Sequence, residues 1–303
     1  MNQAEIAARS ALRTLWPGWT GSLSPLGQGA GRTVLRATGG PRPLVVKLWP
    51  EEQRDKAIAQ AARQAAVSEQ LCDGLFRAPQ VLQFDAAQRV MVMADCGGQD
   101  LGTLLAQAQP AEAERLMARA GAWIAALHAP SRRDAPFRPI GHLNWLDKLV
   151  SQGETGARAI HDLDAFRQHV QALHGLFQEV RRRPSVRAIT HKDLSAGNLL
   201  VTNTGTLWGI DFENSAEDEA LRDLFTLGLD ALSFAPFGHD RRRALAALGR
   251  GYGPAPGDPL VRLFLQRAFA LGYWARTPLP HSRRQAARMA AACWILSQDD
   301  AVV

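Results

Sequence analysis

Three polar residues at close spacing stand in one turn-prone stretch between apolar runs: His191, Asp193 and Asn198. A further acid, Asp211, ends the next strand-like run. A loop aspartate can orient or deprotonate a hydroxyl, and the oxygens of Asn and Asp are hard ligands that suit Mg²⁺ bridging phosphates. This spacing indicates phosphoryl transfer, in which the protein mainly supplies positioning and charge neutralisation. The alternative is an unrelated loop whose Asp and Asn are caps and turn residues.

Lys47 lies within an apolar, β-branched run at residues 44–49. A buried lysine without a partner is costly, and the chain uses Lys only at positions 47, 56, 148 and 192 while Arg supplies its other basic residues. Both points favour a specific role for Lys47 in the chemistry. The alternative is an edge-strand lysine whose ammonium group reaches solvent.

A glycine-rich stretch, with Gly27, Gly29 and Gly31, lies one strand before Lys47. Glycines allow a backbone turn to approach phosphate groups closely. The spacing departs from Gly-x-Gly-x-x-Gly, and glycine-rich hairpin turns are common, so the position before Lys47 carries more weight than the pattern. We expect this turn to contact a nucleotide.

The elements that must position these residues fall into two parts. Residues 1–95 are predicted to form a five-stranded antiparallel sheet and one long helix over about residues 51–73. Residues 96–303 are predicted to be mostly helical, with two short strands at 199–202 and 206–211, and to contain the catalytic loop. The run Cys96-Gly97-Gly98 marks the boundary.

The stretch from His191 to Leu200, followed by Ile210-Asp211-Phe212-Glu213, closely resembles the aminoglycoside phosphotransferase and choline kinase-like family, small-molecule relatives of the protein kinases. The resemblance implies an α+β, two-lobed protein kinase-like fold with a small antiparallel-sheet N-lobe and a mostly helical C-lobe. It implies that the N-lobe, residues 1–95, binds the nucleotide and that the C-lobe, residues 96–303, contains the acceptor site. It implies Asp193 as catalytic base and His191 as the residue that holds the loop in shape. It also implies Asn198 and Asp211 as the ligands of Mg²⁺.

The same resemblance implies ATP as the phosphoryl donor. Lys47 would reach the phosphates, and its carboxylate partner would be Glu69, late in the following helix. Backbone groups from about Met93 to Asp95 would pair with adenine. These roles are expectations that come from the family and not from spacing alone.

The acceptor is expected to be a hydroxyl of a small molecule such as an amino alcohol or a sugar. Glu213 replaces the glycine that follows Asp-Phe in protein kinases, and no Ala-Pro-Glu segment follows, so a protein acceptor is not expected. Glu213 is either a supplementary metal ligand or a surface charge. Residues 213–230 are rich in acids, but the remainder of the chain is rich in Arg, which argues against an aminoglycoside.

Other classes of function stay as alternatives. One is a catalytically silent nucleotide-binding regulator with the kinase fold, and another is a kinase for an anionic acceptor that binds at a basic surface. The net charge of +6 alone would suggest nucleic acid, but the arginines form short clusters without aromatic residues between them, so no nucleic-acid partner is expected.

The sequence also bears on location. No apolar run reaches the roughly 20 residues that a membrane span needs, and the first ten residues lack an export signal. The three cysteines are scattered and odd in number. These features predict a cytoplasmic protein without disulfides.

Overall fold

The computed structural model of the protein describes residues 3–29, 32–234, 241–277 and 282–303. The chain divides into two compact units, Met1–Gln99 with Leu200–Asn214, and Asp100–Leu199 with Ser215–Val303. The end of the first segment lies near the predicted boundary after residue 95. The assignment of residues 200–214 to the first unit is a feature that the sequence did not indicate.

The chain as far as residue 100 alternates strands with two long helices. In chain order the elements are α1 (Gln3–Leu15), β1 (Leu23–Gly29), β2 (Arg32–Ala37), β3 (Leu44–Leu48), α2 (Arg54–Gln70), β4 (Phe76–Arg77), β5 (Val81–Asp85), β6 (Val90–Ala94) and β7 (Gln99–Asp100).

The rest of the chain is mostly helical, with short strands on either side of the His191–Asn198 segment. The elements are α3 (Leu101–Gln107), α4 (Pro110–His128), β8 (Arg133–Pro136), α5 (Ile140–Glu154), α6 (Leu163–Gly175), α7 (Phe177–Val180), β9 (Pro184–Thr190), β10 (Leu199–Val201), β11 (Leu207–Gly209), β12 (Ala216–Glu219), α8 (Leu221–Ala231), α9 (Arg241–Tyr252), α10 (Pro259–Ala275) and α11 (Arg283–Leu296).

The first unit is built on a five-stranded antiparallel sheet in the order β1-β2-β3-β6-β5. Alternate side chains of a strand point to opposite faces. Val46 and Val92 therefore pack with α1 in one core, while Met91 packs with Ala57 of α2 in the other. Lys47 is paired with Met91 across the strands, so its side chain lies on the face that α2 covers.

The second unit packs helices closely and also contains a three-stranded sheet in the order β12-β9-β8. Helix α4 approaches α9 through Gly121, where an added Cβ would collide with the carbonyl oxygen of Leu248. Strand β9 ends at Thr190, the residue before His191. The antiparallel sheet of the first unit and the helical second unit confirm the predicted α+β, protein kinase-like fold class.

Within the ranges described above, no helix has both the length and the apolar composition that crossing a membrane requires.

Candidate active site

The loop that carries Asp193 lies in the second unit between β9 and β10. Its first residue, His191, is fully buried, whereas Asp193 is exposed. A short helical turn at Ala196–Asn198 closes the loop, and the Asn198 side-chain amide donates to the Asp193 carbonyl oxygen at 3.0 Å. Asp193 is thus held by its backbone while its carboxylate faces solvent, as a general base for an incoming hydroxyl requires.

Asp223, in the first turn of α8, fixes the start of this loop. Its carboxylate accepts the backbone N–H groups of His191 at 2.7 Å and Lys192 at 2.9 Å, and lies 3.1 Å from Nε2 of His128. Burial raises the pKa of Asp223, but the bonds and charges of the two histidines outweigh burial, so the net pKa is lowered. The fixed loop matters because Lys192 has a φ of +68°, a conformation that L-residues rarely adopt.

In the first unit, Asp211 gathers donors from three different elements. Its Oδ1 accepts Nζ of Lys47 at 2.8 Å and Nε2 of Gln60 at 3.1 Å, and its Oδ2 accepts Nη2 of Arg32 at 3.1 Å. Burial lowers the pKa of Lys47, and the charge and hydrogen bond of Asp211 oppose that shift. The buried strand lysine therefore has the partner that its burial demands.

Glu213 belongs to the same ionic cluster. Its largely buried carboxylate forms ion pairs with Arg32 and Lys56, and Arg63 of α2 donates to the backbone carbonyl oxygens of Phe212 and Glu213. The carboxylate of Glu213 is therefore not a solvated surface charge, and its role as a supplementary metal ligand stays a prediction.

Glu69 does not take the position expected of it. Its side chain is exposed at the end of α2, where it lines a cavity with Cys72 and Trp208. The residue of α2 that reaches Asp211 is Gln60, which is buried near the middle of the helix. Because Asp211 already supplies the negative charge beside Lys47, the structure assigns the partner of Lys47 to Asp211 and not to Glu69.

The glycine-rich stretch lies at the end of β1 and the start of β2. Gly27 pairs with Val34 and Gly29 with Arg32, after an irregularity in the pairing at Pro25. Gly31 lies outside the described residues. The backbone of Gly27 and Gly29 is therefore one strand away from Lys47, as predicted, since β2 separates β1 from β3.

Met93 and Asp95 lie at the end of β6. Met93 is paired with Val45 and Val81 within the sheet. The Asp95 carboxylate accepts Nε of Arg36 at 2.6 Å, and its N–H donates to the Pro43 carbonyl oxygen at 3.2 Å. Because the carboxylate and the N–H of Asp95 already have partners within the protein, its backbone carbonyl oxygen is the group that could contact adenine.

The groups expected to hold Mg²⁺ have suitable chemistry. Asn198 uses its amide nitrogen within the loop, which leaves its amide oxygen as the group for a cation. Asp211 already attracts the cations Lys47 and Arg32 with both oxygens. Hard oxygen donors of this kind fit Mg²⁺.

A cavity in the second unit adds residues that the sequence reasoning missed. It has a volume of about 160 Å³ and is lined by Asp193 together with Asp230, Tyr273, Arg276 and Arg288. These residues come from α8, α10 and α11 and stand far from Asp193 in sequence. The excess of Arg after residue 230 was the available signal.

The fold and the two acid-bearing segments define a small-molecule phosphotransferase of the protein kinase-like class. The model of the Phosphotransferase enzyme family matches residues 22–264, which is most of the chain, so the protein belongs to that family. This confirms the resemblance that the catalytic stretch predicts. A comparison with curated proteins finds no significant match.

Solved structures with a similar fold include three small-molecule kinases. A choline kinase from Streptococcus pneumoniae has 15% identity and a TM-score of 0.61, with 98% of this chain and 99% of that chain covered. A macrolide 2′-phosphotransferase from Brachybacterium faecium has 17% identity and a TM-score of 0.59, with 97% and 99% covered. A choline kinase from Cryptosporidium parvum has 12% identity and a TM-score of 0.63, with 97% and 94% covered. At these identities the likeness establishes the fold.

Proposed function

We propose that the protein transfers the γ-phosphate of ATP, in a Mg²⁺-dependent reaction, to a hydroxyl of a small molecule. The observation that carries this proposal is the bond between Lys47 and Asp211, which joins a buried strand lysine to the acid of the Asp-Phe segment over 164 residues of sequence. If Lys47 had only a structural role, any nearby carboxylate would stabilise its buried charge equally well. Pairing with the acid expected to bind metal is the arrangement that phosphate chemistry needs.

Asp193 is the proposed base. Its carboxylate would accept the proton of the acceptor hydroxyl while the oxygen attacks the γ-phosphorus. His191 would act through the loop, because its buried ring and its backbone bond to Asp223 hold the segment in place. Asn198 would tie the loop at its other end through the Asp193 carbonyl oxygen.

Residues of several elements would bind the donor and its metal. Lys47 would neutralise charge on the phosphates, and the backbone of Gly27 and Gly29 would approach them. Asn198 and Asp211 would hold Mg²⁺, which when bound would neutralise the charge that develops on the phosphate oxygens. We also propose a reducing compartment such as the cytoplasm, which the three free cysteines support.

The test is an acceptor screen with Mg-ATP, read by ADP release, on the wild type and the Asp193→Asn variant. Turnover should fall by about 10²- to 10⁴-fold in the variant, while nucleotide affinity stays close to that of the wild type. Asp164→Asn is the matched control, because Asp164 is an exposed acid in the first turn of α6.

Two results would contradict the proposal. Undiminished turnover in Asp193→Asn would remove Asp193 as the base. Tight ATP binding without phosphorylation of any alcohol, sugar or amino alcohol would favour the silent regulator.

A further inference from the structure

The charge balance of the cavity beside Asp193 points to the chemical class of the acceptor. Four charged side chains line the cavity: Asp193, Asp230, Arg276 and Arg288. The two negative and two positive formal charges cancel, so the net charge of the lining residues is zero. Their hydrogen bonds decide which of these charges is available to a bound molecule.

Asp230 has its charge fully engaged by the protein. Its side chain is 2% exposed, and its Oδ2 accepts the backbone N–H of Ala196 at 3.0 Å. Its Oδ1 accepts the Tyr273 hydroxyl and Nη2 of Arg288, both at 2.7 Å, and lies 3.4 Å from Arg284. A buried carboxylate with these donors has little capacity left to attract a cationic acceptor. Arg288 pairs with Asp230 through Nη2, so its charge is balanced by that carboxylate although its Nε has no hydrogen-bond partner among the described residues.

Arg276, at the C-terminal end of α10, is in a different situation. Its Nε donates to the Gly272 carbonyl oxygen at 3.2 Å. Within the described part of the chain, no carboxylate lies within 4.0 Å of its guanidinium group and no acceptor bonds its two terminal nitrogens. The guanidinium group stays charged in proteins and offers a planar fork to an anion.

The acids that the sequence offered for a cationic acceptor are also engaged elsewhere. Glu217 pairs with Arg133, Asp218 with Arg222, and Glu219 with Ser185. Trp274, which could have formed an aromatic cage for a quaternary amine, is buried and donates its indole N–H to the His161 carbonyl oxygen. Neither of the usual means of binding a cation is therefore available in these residues.

We propose that the acceptor is a hydroxylated anion, a small alcohol that carries a carboxylate or a phosphate. The anionic group binds the terminal nitrogens of Arg276, and the hydroxyl lies at Asp193. This inference rests on the proposed function of Asp193. In the transfer, the hydroxyl oxygen bonds to the γ-phosphorus, the bond from that phosphorus to the β,γ-bridging oxygen breaks to leave ADP, and Asp193 takes the hydroxyl proton and later returns it to water.

The test compares matched alcohols that differ in charge. Glycerate and glycerol 3-phosphate represent the two anionic groups, glycerol is the neutral member, and 3-amino-1,2-propanediol is the cationic member. Binding is measured by calorimetry without nucleotide, so that it does not depend on turnover. At least one anionic member should bind about 10- to 100-fold more tightly than the neutral and cationic members, the effect of one charge-assisted contact.

Arg276→Gln should abolish that preference, and Arg276→Lys should keep part of it because the charge remains while the fork is lost. Arg283→Gln is the control, since Arg283 is an exposed arginine in the first turn of α11 that does not line the cavity. Thermal unfolding of each variant establishes that it is folded. A preference that survives in folded Arg276→Gln would overturn the assignment of Arg276.

Turnover with Mg-ATP separates this inference from the proposed function. If anions bind through Arg276 but no member of the set or of a wider panel is phosphorylated, the anion site stands and the proposed kinase function fails. If a neutral or cationic alcohol is phosphorylated in a manner that needs Asp193, and no anion binds at millimolar concentration, the kinase function stands and this inference is overturned.

Discussion

The Nζ atom of Lys47 lies 2.8 Å from Oδ1 of Asp211, although the two residues come from β3 and from the segment after β11. The Lys47 side chain is 6% exposed and the Asp211 side chain is 29% exposed. The negative charge of Asp211 thus balances the charge of the buried lysine, whereas Asp211 also accepts hydrogen bonds from Arg32 and Gln60. Loss of the lysine should consequently affect chemistry more than folding.

Lys47→Met is expected to lower turnover by about 10²- to 10³-fold, because a charge that stabilises the transferring phosphoryl group is removed. The free energy of unfolding should change by less than about 1.5 kcal/mol, since methionine fills a similar apolar volume and Asp211 keeps two donors. Steady-state kinetics and urea unfolding measure the two effects. Lys148→Met, an exposed lysine of α5, is the control. Equal turnover in both variants would contradict the role of Lys47.

Asp223→Asn should destabilise the protein by about 2–4 kcal/mol, because a buried charge that accepts two backbone N–H groups is replaced by a neutral amide. Turnover should fall as well, since the loop that carries Asp193 loses its attachment at His191 and Lys192. Urea unfolding and kinetics at a temperature where the variant stays folded separate the effects. Asp147→Asn, an exposed acid paired with His174, should change stability by less than about 0.5 kcal/mol. Wild-type behaviour of Asp223→Asn would be contrary to this account.

Gly121→Ala should destabilise the second unit by about 1–3 kcal/mol, because the added methyl group would collide with the Leu248 carbonyl oxygen and push α4 from α9. Gly175→Ala is the matched control: a Cβ added to this helical glycine at the end of α6 would meet no atom within 4 Å beyond its chain neighbours and the backbone of its own helix. Alanine there should be neutral or slightly stabilising. Equal unfolding midpoints for the two variants would show that the helices can separate without cost.

The family and the fold class could be predicted because they rest on local patterns. The spacing of His191, Asp193 and Asn198 within one loop is visible in the sequence alone. Lys47 is likewise visible as a charged residue in an apolar strand. The partner of Lys47 could not be found in this way. It is decided by which side chain of α2 or of the Asp-Phe segment reaches the sheet, and that depends on packing.

Strands β9 and β12 were not predicted. Strand β9 has the β-branched residues Val186, Ile189 and Thr190, but it begins at a proline, which is uncommon in strands. Ala216–Glu219 consists mostly of acids, which are uncommon in strands. It is stabilised across the sheet by β9, where Arg187 pairs with Glu219. The wall of the cavity was missed for a similar reason. Arg276 is relevant to the acceptor because it lines the same cavity as Asp193, and the two residues are 83 positions apart in the sequence.

His142, near the start of α5, should make stability fall in acid. It packs against Phe137 at 5.8 Å and Phe269 at 5.8 Å between ring centroids. Burial lowers the pKa of His142 from 6.5 to about 4, helped by the charges of Arg222 and Arg187 and opposed by that of Asp218. Between these two values the unfolded chain binds a proton that the folded chain does not, so the free energy of unfolding decreases as the pH falls through this window.

The His142→Phe variant isolates this contribution, because phenylalanine keeps an aromatic ring among its neighbours and cannot titrate. Urea unfolding of wild type and variant at pH 7 and at pH 4.5 gives the loss of free energy for each. The wild type should lose more, by on the order of 2 kcal/mol. Parallel losses in wild type and His142→Phe would mean that other groups cause the acid sensitivity.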